Sequence, residues 1–324
     1  MAKGYRVNAF GGPEVMVWED LNLGVLASDA VRVRVGASGI NFAETRMRAG
    51  DYSGQELPFV MGMEVAGIVE QVGADVVDFK EGDRVFGRVR GAHAEVVDCD
   101  PLHLFSLPDN LSFEQGAAIP VGFLTAWHAL YTVGNMARGD RILVEAVGGS
   151  VGSAALALAK QAGCWTLGTA SRDDKLARAT AMGCDAVVNY TRESVSARAR
   201  ELTGEAGMDI GLMTIGDATA DQLIDAMGMD GRVVMFGSTG GRDITFNLRI
   251  GILNIQLLSM SISTSPAFMT RTMPAFRSRA LPLFASGELV PVVDTVLPMA
   301  DLVRAHEMVD ERSHFGKVIL VNEI

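Results

Sequence analysis

The sequence predicts an α/β protein made of a partly open β-barrel domain and a doubly wound parallel sheet. Three observations lead there. The first third of the chain carries short β-rich runs punctuated by glycine. From about Ile119, helical segments alternate with short apolar strands of the buried parallel kind. A loop of small residues joins the first of those strands to an alanine-rich helix. With 324 residues and about 150 residues per domain, two domains with substantial cores are expected.

In the first part the β runs are Tyr5 to Phe10, Val15 to Asp20, Val31 to Val35, Val65 to Val72, Asp83 to Phe86 and Ala94 to Asp98. In the second they are Ile142 to Ala146, Thr166 to Thr169, Ala186 to Asn189, Ile210 to Thr214, Arg232 to Phe236 and Leu257 to Ser263. Between these lie Val151 to Ala162, Asp173 to Met182, Ser194 to Thr203 and Ala218 to Met227, each long enough to cross over as a helix. After Pro266 the pattern predicts a long helix, a strand near Val292 to Leu297, a short helix from Ala300 to Asp310 and a last strand Lys317 to Val321. This tail is expected to return to the first domain, giving segments 1–120, 121–265 and 266–324.

Composition narrows the function. The most apolar late stretch, Ile250 to Ile262, is too short to span a bilayer. Met1 to Val7 lacks the apolar run that follows the basic residues of a secretory signal, so a cytoplasmic location is the expectation. Cys99, Cys164 and Cys184 have no C-x-x-C spacing and read as small hydrophobes rather than a disulfide or metal framework. With 28 basic and 39 acidic residues the net charge is -11, which opposes nucleic acid and anionic membranes as partners.

The strongest chemical signal is Ala146-Val147-Gly148-Gly149-Ser150-Val151-Gly152-Ser153-Ala154-Ala155, an A-x-x-G-x-x-G-x-x-A pattern between strand and helix. Small residues there let the amides of Gly149, Ser150, Val151 and Gly152 approach a pyrophosphate, whose charge the helix dipole stabilises. An NAD site would present an acidic residue to the ribose about twenty residues on. The chain instead reads Ala170-Ser171-Arg172-Asp173-Asp174-Lys175. A hydroxyl, a guanidinium and an ammonium suit a 2′-phosphate, so NADPH is the expected cofactor. The alternative is a solvated helix face in which Arg172 and Lys175 pair with Asp173 and Asp174. Tyr190 reads either as a neighbour of the adenosine ribose or as a plain strand-end tyrosine.

Further motifs are Gly39-Ile40-Asn41-Phe42-Ala43-Glu44, Arg48-Ala49-Gly50-Asp51-Tyr52, Leu57 to Glu64, Gly82-Asp83-Arg84-Val85, Leu124-Thr125-Ala126 and Gly316-Lys317-Val318. Together with the glycine loop, and over nearly the whole chain, they resemble the quinone oxidoreductase (zeta-crystallin-like) branch of the medium-chain dehydrogenase/reductases. The resemblance implies a GroES-like catalytic domain built from both chain ends around a central Rossmann domain, and a homodimer formed through edge strands. It implies that Asn41 lies beside the nicotinamide ribose and the substrate oxygen, and Thr125 beside the carboxamide. Tyr190, Lys317 and the Gly237-Ser238 loop complete the cofactor residues. Zinc-dependent relatives carry a cysteine near Asn41 and a histidine at Met63; an amide and a thioether do not replace thiolate and imidazole, so no metal is expected.

Without a Lewis-acid metal, hydrogen bonds must polarise the substrate. The expectation is an NADPH-dependent, zinc-independent reductase acting on a quinone or an α,β-unsaturated carbonyl: an enone, 2-alkenal or enoyl thioester. Tyr52 reads either as proton donor or as pocket wall. Arg46 reads either as an anion-stabilising cation or as half of a surface ion pair with Glu44 or Asp51. Met235 and Phe268 read as pocket lining or, by preference, as core. All five histidines, including His93 and His306, take ordinary packing or surface roles by default. Two competing functions are a nucleotide-binding protein with a structural, RNA-binding or vesicle-associated role, and a metal-dependent alcohol dehydrogenase.

Overall fold

Alternation decides the first unit. In Val31-Arg32-Val33-Arg34-Val35 the three valines are fully buried while Arg32 pairs at the surface with Asp98, the period-two signature of a strand with one wet face. The computed structural model describes residues 2–323 other than 53, 238, 241 and 242. The strands of its amino-terminal part are β1 (Ala2–Val7), β2 (Met16–Leu21), β3 (Val31–Gly39), β4 (Phe59–Val60), β5 (Glu64–Val72), β6 (Arg84–Arg88), β7 (Val96–Cys99) and β8 (Leu104–Ser106). Helix α1 (Phe42–Ala49) follows β3, and α2 (Phe113–Ala117) and α3 (Pro120–Trp127) follow β8.

The second part opens on β9 (Arg141–Val144), whose Ile142, Leu143 and Val144 are all buried, as a strand covered on both faces requires. It continues through α4 (Ser150–Gln161), β10 (Trp165–Ala170), α5 (Asp173–Ala181), β11 (Ala186–Asn189), α6 (Val195–Thr203), β12 (Met208–Met213), α7 (Asp217–Ala226), β13 (Met227–Met235) and β14 (Gln256–Ser259). These strands are all parallel, in the order β11-β10-β9-β12-β13-β14. The order reverses at β9, so the crevice between the carboxyl ends of β9 and β12 is the switch point at which such sheets bind dinucleotides.

The chain ends with β15 (Val293–Pro298), the helix Leu302–Asp310 and β16 (Lys317–Val321). Strand β16 runs parallel to β15 and antiparallel to β3, so the tail extends the first sheet to the order β15-β16-β3-β5-β6-β8, with β7 on β3. Strands β2, β1 and β4 form a separate small sheet. Two compact units result: Met1–Val121 with Val290–Ile324, and Gly122–Leu289.

The return to the first unit thus comes at 290 rather than 266. Residues 268–286 form a helix that alternates between π and α geometry. Its Phe268, Phe276 and Phe284 recur at eight-residue spacing and pack on His128, Trp127 and Phe123 of the nucleotide unit. Phe268 is therefore core, not pocket lining, and half-buried Met235 packs against the core beneath the parallel sheet. Among the described residues no helix is long and apolar enough to cross a membrane.

Candidate active site

In the nucleotide unit, β9 ends in Glu145 and the left-handed Ala146 (φ 49°), then turns into α4 through Gly148 and Gly149. Gly149 caps α4 without a side-chain hydrogen bond, and Gly149, Ser150 and Val151 are only half-buried. The first amides of this twelve-residue helix thus have no capping side chain, the arrangement that suits an anion. Gly152 is required for closeness: a Cβ there would stand 2.8 Å from Val147 Cα and nearer still to the Ala146 carbonyl. Thr125 is buried on α3, one turn beyond Gly122, where a Cβ would come within 2.7 Å of Ser150 Oγ. Thr125 thus belongs to the helix packed on the start of α4.

Ser171 and Arg172 lie exposed at the carboxyl end of β10, and Arg172 is the residue that starts α5. Its guanidinium donates two bonds to Asp174, Nε to Oδ1 at 2.9 Å and Nη2 to Oδ2 at 2.8 Å. The surface pairing weighed for Arg172 is thus present, with Asp174. Asp173 is instead taken by Arg192 at 2.7 Å and by Asn189 at 2.6 Å. Lys175 follows on α5, partly exposed. Both partners are exposed, so solvent screens the pair and it holds Arg172 only weakly. Arg192, just past the end of β11, is a further guanidinium at this corner that the motif reading did not single out.

Glu145 was missed altogether. It is buried, and its carboxylate accepts the amides of Thr214 (2.8 Å) and Ile215 (3.0 Å) and the Thr219 hydroxyl (2.5 Å). Burial pushes the carboxyl up despite these bonds. One side chain thereby ties β9 to the β12–α7 loop across the switch-point crevice. Gly237 packs on Thr214, and the Gly240 amide donates to the Ile215 carbonyl at 2.7 Å, so these two glycines meet the segment that Glu145 holds. Ser238 lies outside the described residues. Tyr190 lines a narrow pocket with Glu145, Thr169, Thr219 and Gln222, at the carboxyl ends of the strands rather than on the outer surface.

The other unit concentrates buried charge around Asn41. Asn41 precedes α1, and Glu44 reaches back to accept the Asn41 backbone amide at 2.8 Å, half of a capping box. The Asn41 side-chain Nδ2 donates to Glu44 Oε2 (3.0 Å) and Glu64 Oε1 (2.8 Å), and Lys317 Nζ donates to Asn41 Oδ1 at 2.6 Å. Lys317 also pairs directly with Glu64, whose Oε2 accepts the Val121 amide at 2.9 Å. Gly39 makes room for the pair: a Cβ would lie 2.8 Å from Lys317 Cε and 2.8 Å from the Ala117 carbonyl. Glu44 Oε1 lies 2.9 Å from His93 Nε2, and His93 Nδ1 lies 2.9 Å from Ser38 Oγ. Glu44, Glu64, His93 and Ser38 are fully buried, and Asn41 and Lys317 nearly so.

This geometry revises several expectations. Lys317 is not a free cation for a cofactor; its ammonium is buried against Glu64, and it orients Asn41 instead. Glu44 is not a surface partner of Arg46. Burial raises the Glu44 carboxyl, but the adjoining His93 and the Asn41 bond bring it below the usual carboxylate range. Arg46 meets Asp310 at 3.1 Å and Asp51 at 3.5 Å and lies over the Phe42 ring, so the ion-pair reading of Arg46 is the one observed. His93 and Glu64 were invisible as site residues because their partners are remote in sequence: Ser38 is 55 positions from His93, and Asn41 and Val121 are 23 and 57 from Glu64. Tyr52 is 41% exposed on the loop after α1. Met63 is half-buried, and among the described residues no group of three or more His, Cys, Asp or Glu side chains is arranged to hold a metal ion.

The chain as a whole has known relatives. Residues 27–109 match the alcohol dehydrogenase GroES-like domain, and residues 150–283 match the zinc-binding dehydrogenase family. The quinone oxidoreductase of Homo sapiens is 31% identical over 99% of this chain and 98% of its own length. The crystal structure of Pseudomonas syringae pv. Tomato DC3000 quinone oxidoreductase superposes with a TM-score of 0.90 at 31% identity, covering 99% of this chain and all of that one. Escherichia coli quinone oxidoreductase complexed with NADPH gives a TM-score of 0.87 at 30% identity over 99% and 100% of the two chains. With a GroES-like unit completed by its last strand and a parallel-sheet nucleotide unit, the chain belongs to the quinone oxidoreductase branch of the medium-chain dehydrogenase/reductase superfamily.

Proposed function

We propose that the chain is an NADPH-dependent, zinc-independent reductase of quinones or α,β-unsaturated carbonyl compounds. The observation that carries this reading is the open amino end of α4 followed, at the end of β10, by Arg172 where an NAD-binding site would present a carboxylate. The residues fit a dinucleotide: Gly149, Ser150, Val151 and Gly152 would hold its pyrophosphate, and Ser171, Arg172 and Lys175 its 2′-phosphate. Thr125, Tyr190, Gly237 and Asn41 would complete the contacts. When bound, NADPH supplies the hydride. Tyr52, exposed and close in sequence to Asn41, is the candidate donor to the oxygen on which charge develops. The names of the human and Escherichia coli relatives, and the NADPH in the latter's structure, support the same reading.

Zinc independence rests on donor chemistry. Asn41 offers an amide and Met63 a thioether, while the Lys317 ammonium already neutralises Glu64; this is a poor set for zinc, which takes thiolate, imidazole and free carboxylate. Among the described residues strand β14 has a partner on one side only, which suits a homodimer built by continuing the sheet. The test is NADPH and NADH oxidation by the purified protein across quinones, enones, 2-alkenals and enoyl thioesters. Turnover with NADPH in at least one class is expected, and no turnover in any class would refute the assignment.

A further inference from the structure

The Asn41 carboxamide has little freedom in what it can offer a ligand. Both Nδ2 protons are committed inward, to Glu44 Oε2 and Glu64 Oε1, and one lone pair of Oδ1 accepts from Lys317. Turning the amide over would set its oxygen against two carboxylate oxygens and its NH2 against an ammonium, so the orientation is over-determined. What Asn41 has left is the second lone pair of Oδ1. That is an acceptor, the complement of a hydroxyl and a mismatch for a developing oxyanion.

Glu64 is paired with the Lys317 ammonium, whereas Glu44 accepts two Asn41 N–H groups on Oε2 and faces His93 with Oε1. Glu44 Oε1 and His93 Nε2 have no better-aligned hydrogen-bond partner among the described residues and lie 2.9 Å apart with no solvent exposure. Lone pair against lone pair would be repulsive there, so one proton lies between them. The other charges facing the pair are already matched: Lys317 with Glu64, and Arg48 with Asp310 at 3.0 Å, which Arg46 also meets. His306 packs edge-on to His93, ring centroids 6.5 Å apart, with neither of its nitrogens hydrogen-bonded among the described residues. An aspartate at position 44 would be one methylene short of bridging Asn41 and His93 together.

We propose that Glu44 and His93 are positioning residues that lock Asn41 as a hydrogen-bond acceptor, directing it to a ribose hydroxyl of the dinucleotide and away from the substrate's oxygen. The proposal rests on the reading of Asn41 as part of the NADPH site. It divides labour within that site: the donor to the substrate must be another group, with Tyr52 the candidate.

The test compares Glu44→Ala with Glu44→Gln in the full-length chain. NADPH binding is read by fluorescence titration, steady-state constants with 1,4-benzoquinone, and folding by thermal melting. Removing the carboxylate frees one Nδ2 proton of Asn41. The expected result is a rise of about tenfold in the NADPH dissociation constant, consistent with one lost hydrogen bond to a buried polar group, and a quinone KM changed less than twofold. Glu44→Gln should recover most of that loss, because its amide oxygen accepts the same N–H groups and its NH2 can face His93 Nε2. Equal NADPH affinity in wild type and Glu44→Ala, or no recovery by glutamine in a folded protein, overturns the proposal.

A second readout needs no Glu44 variant. In 15N-asparagine-labelled wild type, with the signal assigned through Asn41→Ala, both Asn41 side-chain protons should resist exchange equally with and without NADPH. Protection gained only on adding NADPH would mean that the amide was free to donate, and the proposal fails. If the wild type binds no NADPH, the functional reading fails and the acceptor role with it. If the wild type binds NADPH and Glu44→Ala binds it as tightly, only the acceptor role fails.

Discussion

Replacing Lys317 by methionine keeps much of the side chain's length and removes its charge and its N–H donors. In the native chain that ammonium is, among the described residues, the one cation paired with fully buried Glu64, and it donates to Asn41 Oδ1 at 2.6 Å. The variant leaves Glu64 with two N–H donors, from Asn41 and Val121, and an uncompensated charge in a dry interior. Breaking a buried pair from one side costs about 3–5 kcal/mol, a large share of the about 5–15 kcal/mol that holds a typical domain folded. At about 2–4 °C per kcal/mol for a unit of this size, the melting temperature should fall by about 10 °C. Urea denaturation of Lys317→Met, Glu64→Gln and the double variant isolates the pair. The double variant should be less destabilised than the sum of the singles by about 2 kcal/mol, within the range found for contacting residues. A Lys317→Met protein within about 1 kcal/mol of wild type, or strict additivity, would show that the buried pair does not hold this unit together.

Three other outcomes are expected. Alanine at both Arg172 and Lys175 should weaken NADPH at least tenfold while changing NADH little, since the loss of charge-assisted bonds to one phosphate falls on NADPH alone; equal losses in paired titrations would remove these residues from the 2′-phosphate site. Tyr52→Phe should lower kcat by about 10²-fold or more, as loss of a proton donor does, with the NADPH dissociation constant unchanged; an unaltered kcat would leave Tyr52 a wall. His306 is buried with both ring nitrogens unpartnered among the described residues, and burial holds its pKa down to about 3 from 6.5. The unfolded ring therefore takes up its proton at a pH where the native ring does not. Its contribution is present above pH 6.5 and is lost as pH falls towards 3, at up to about 1.4 kcal/mol per pH unit. His306→Phe should flatten the stability profile over that window, and an unchanged slope would contradict the assignment.

The fold was legible wherever local pattern and tertiary role coincide. Ala186 to Asn189 and Lys317 to Val321 emerge as strands with the expected limits, because each is a short apolar run with both faces or one long neighbour to cover it. The tight turn from β9 into α4 was legible for the same reason: its residues are contiguous and small, and Gly152 has no room for a Cβ. The return to the first unit was misplaced by about two dozen residues because Phe268, Phe276 and Phe284 carry no mark of which unit they pack on. Least legible was the charge network. Asn41 depends on Lys317, 276 positions away, and Glu44 on His93, yet each histidine or glutamate alone reads as an ordinary residue. Glu145 gave no signal either, since a glutamate ending an apolar strand becomes an anchor only once β12 lies beside β9.

Oxidation of NADPH by the purified wild-type chain, followed at 340 nm with a quinone as acceptor, tests the central claim most directly. The measurement is run against NADH and repeated after incubation with a zinc chelator. The account predicts turnover, a preference for NADPH and no effect of the chelator. A preference for NADH, loss of activity on chelation, or no turnover with quinones, enones, 2-alkenals or enoyl thioesters would contradict it.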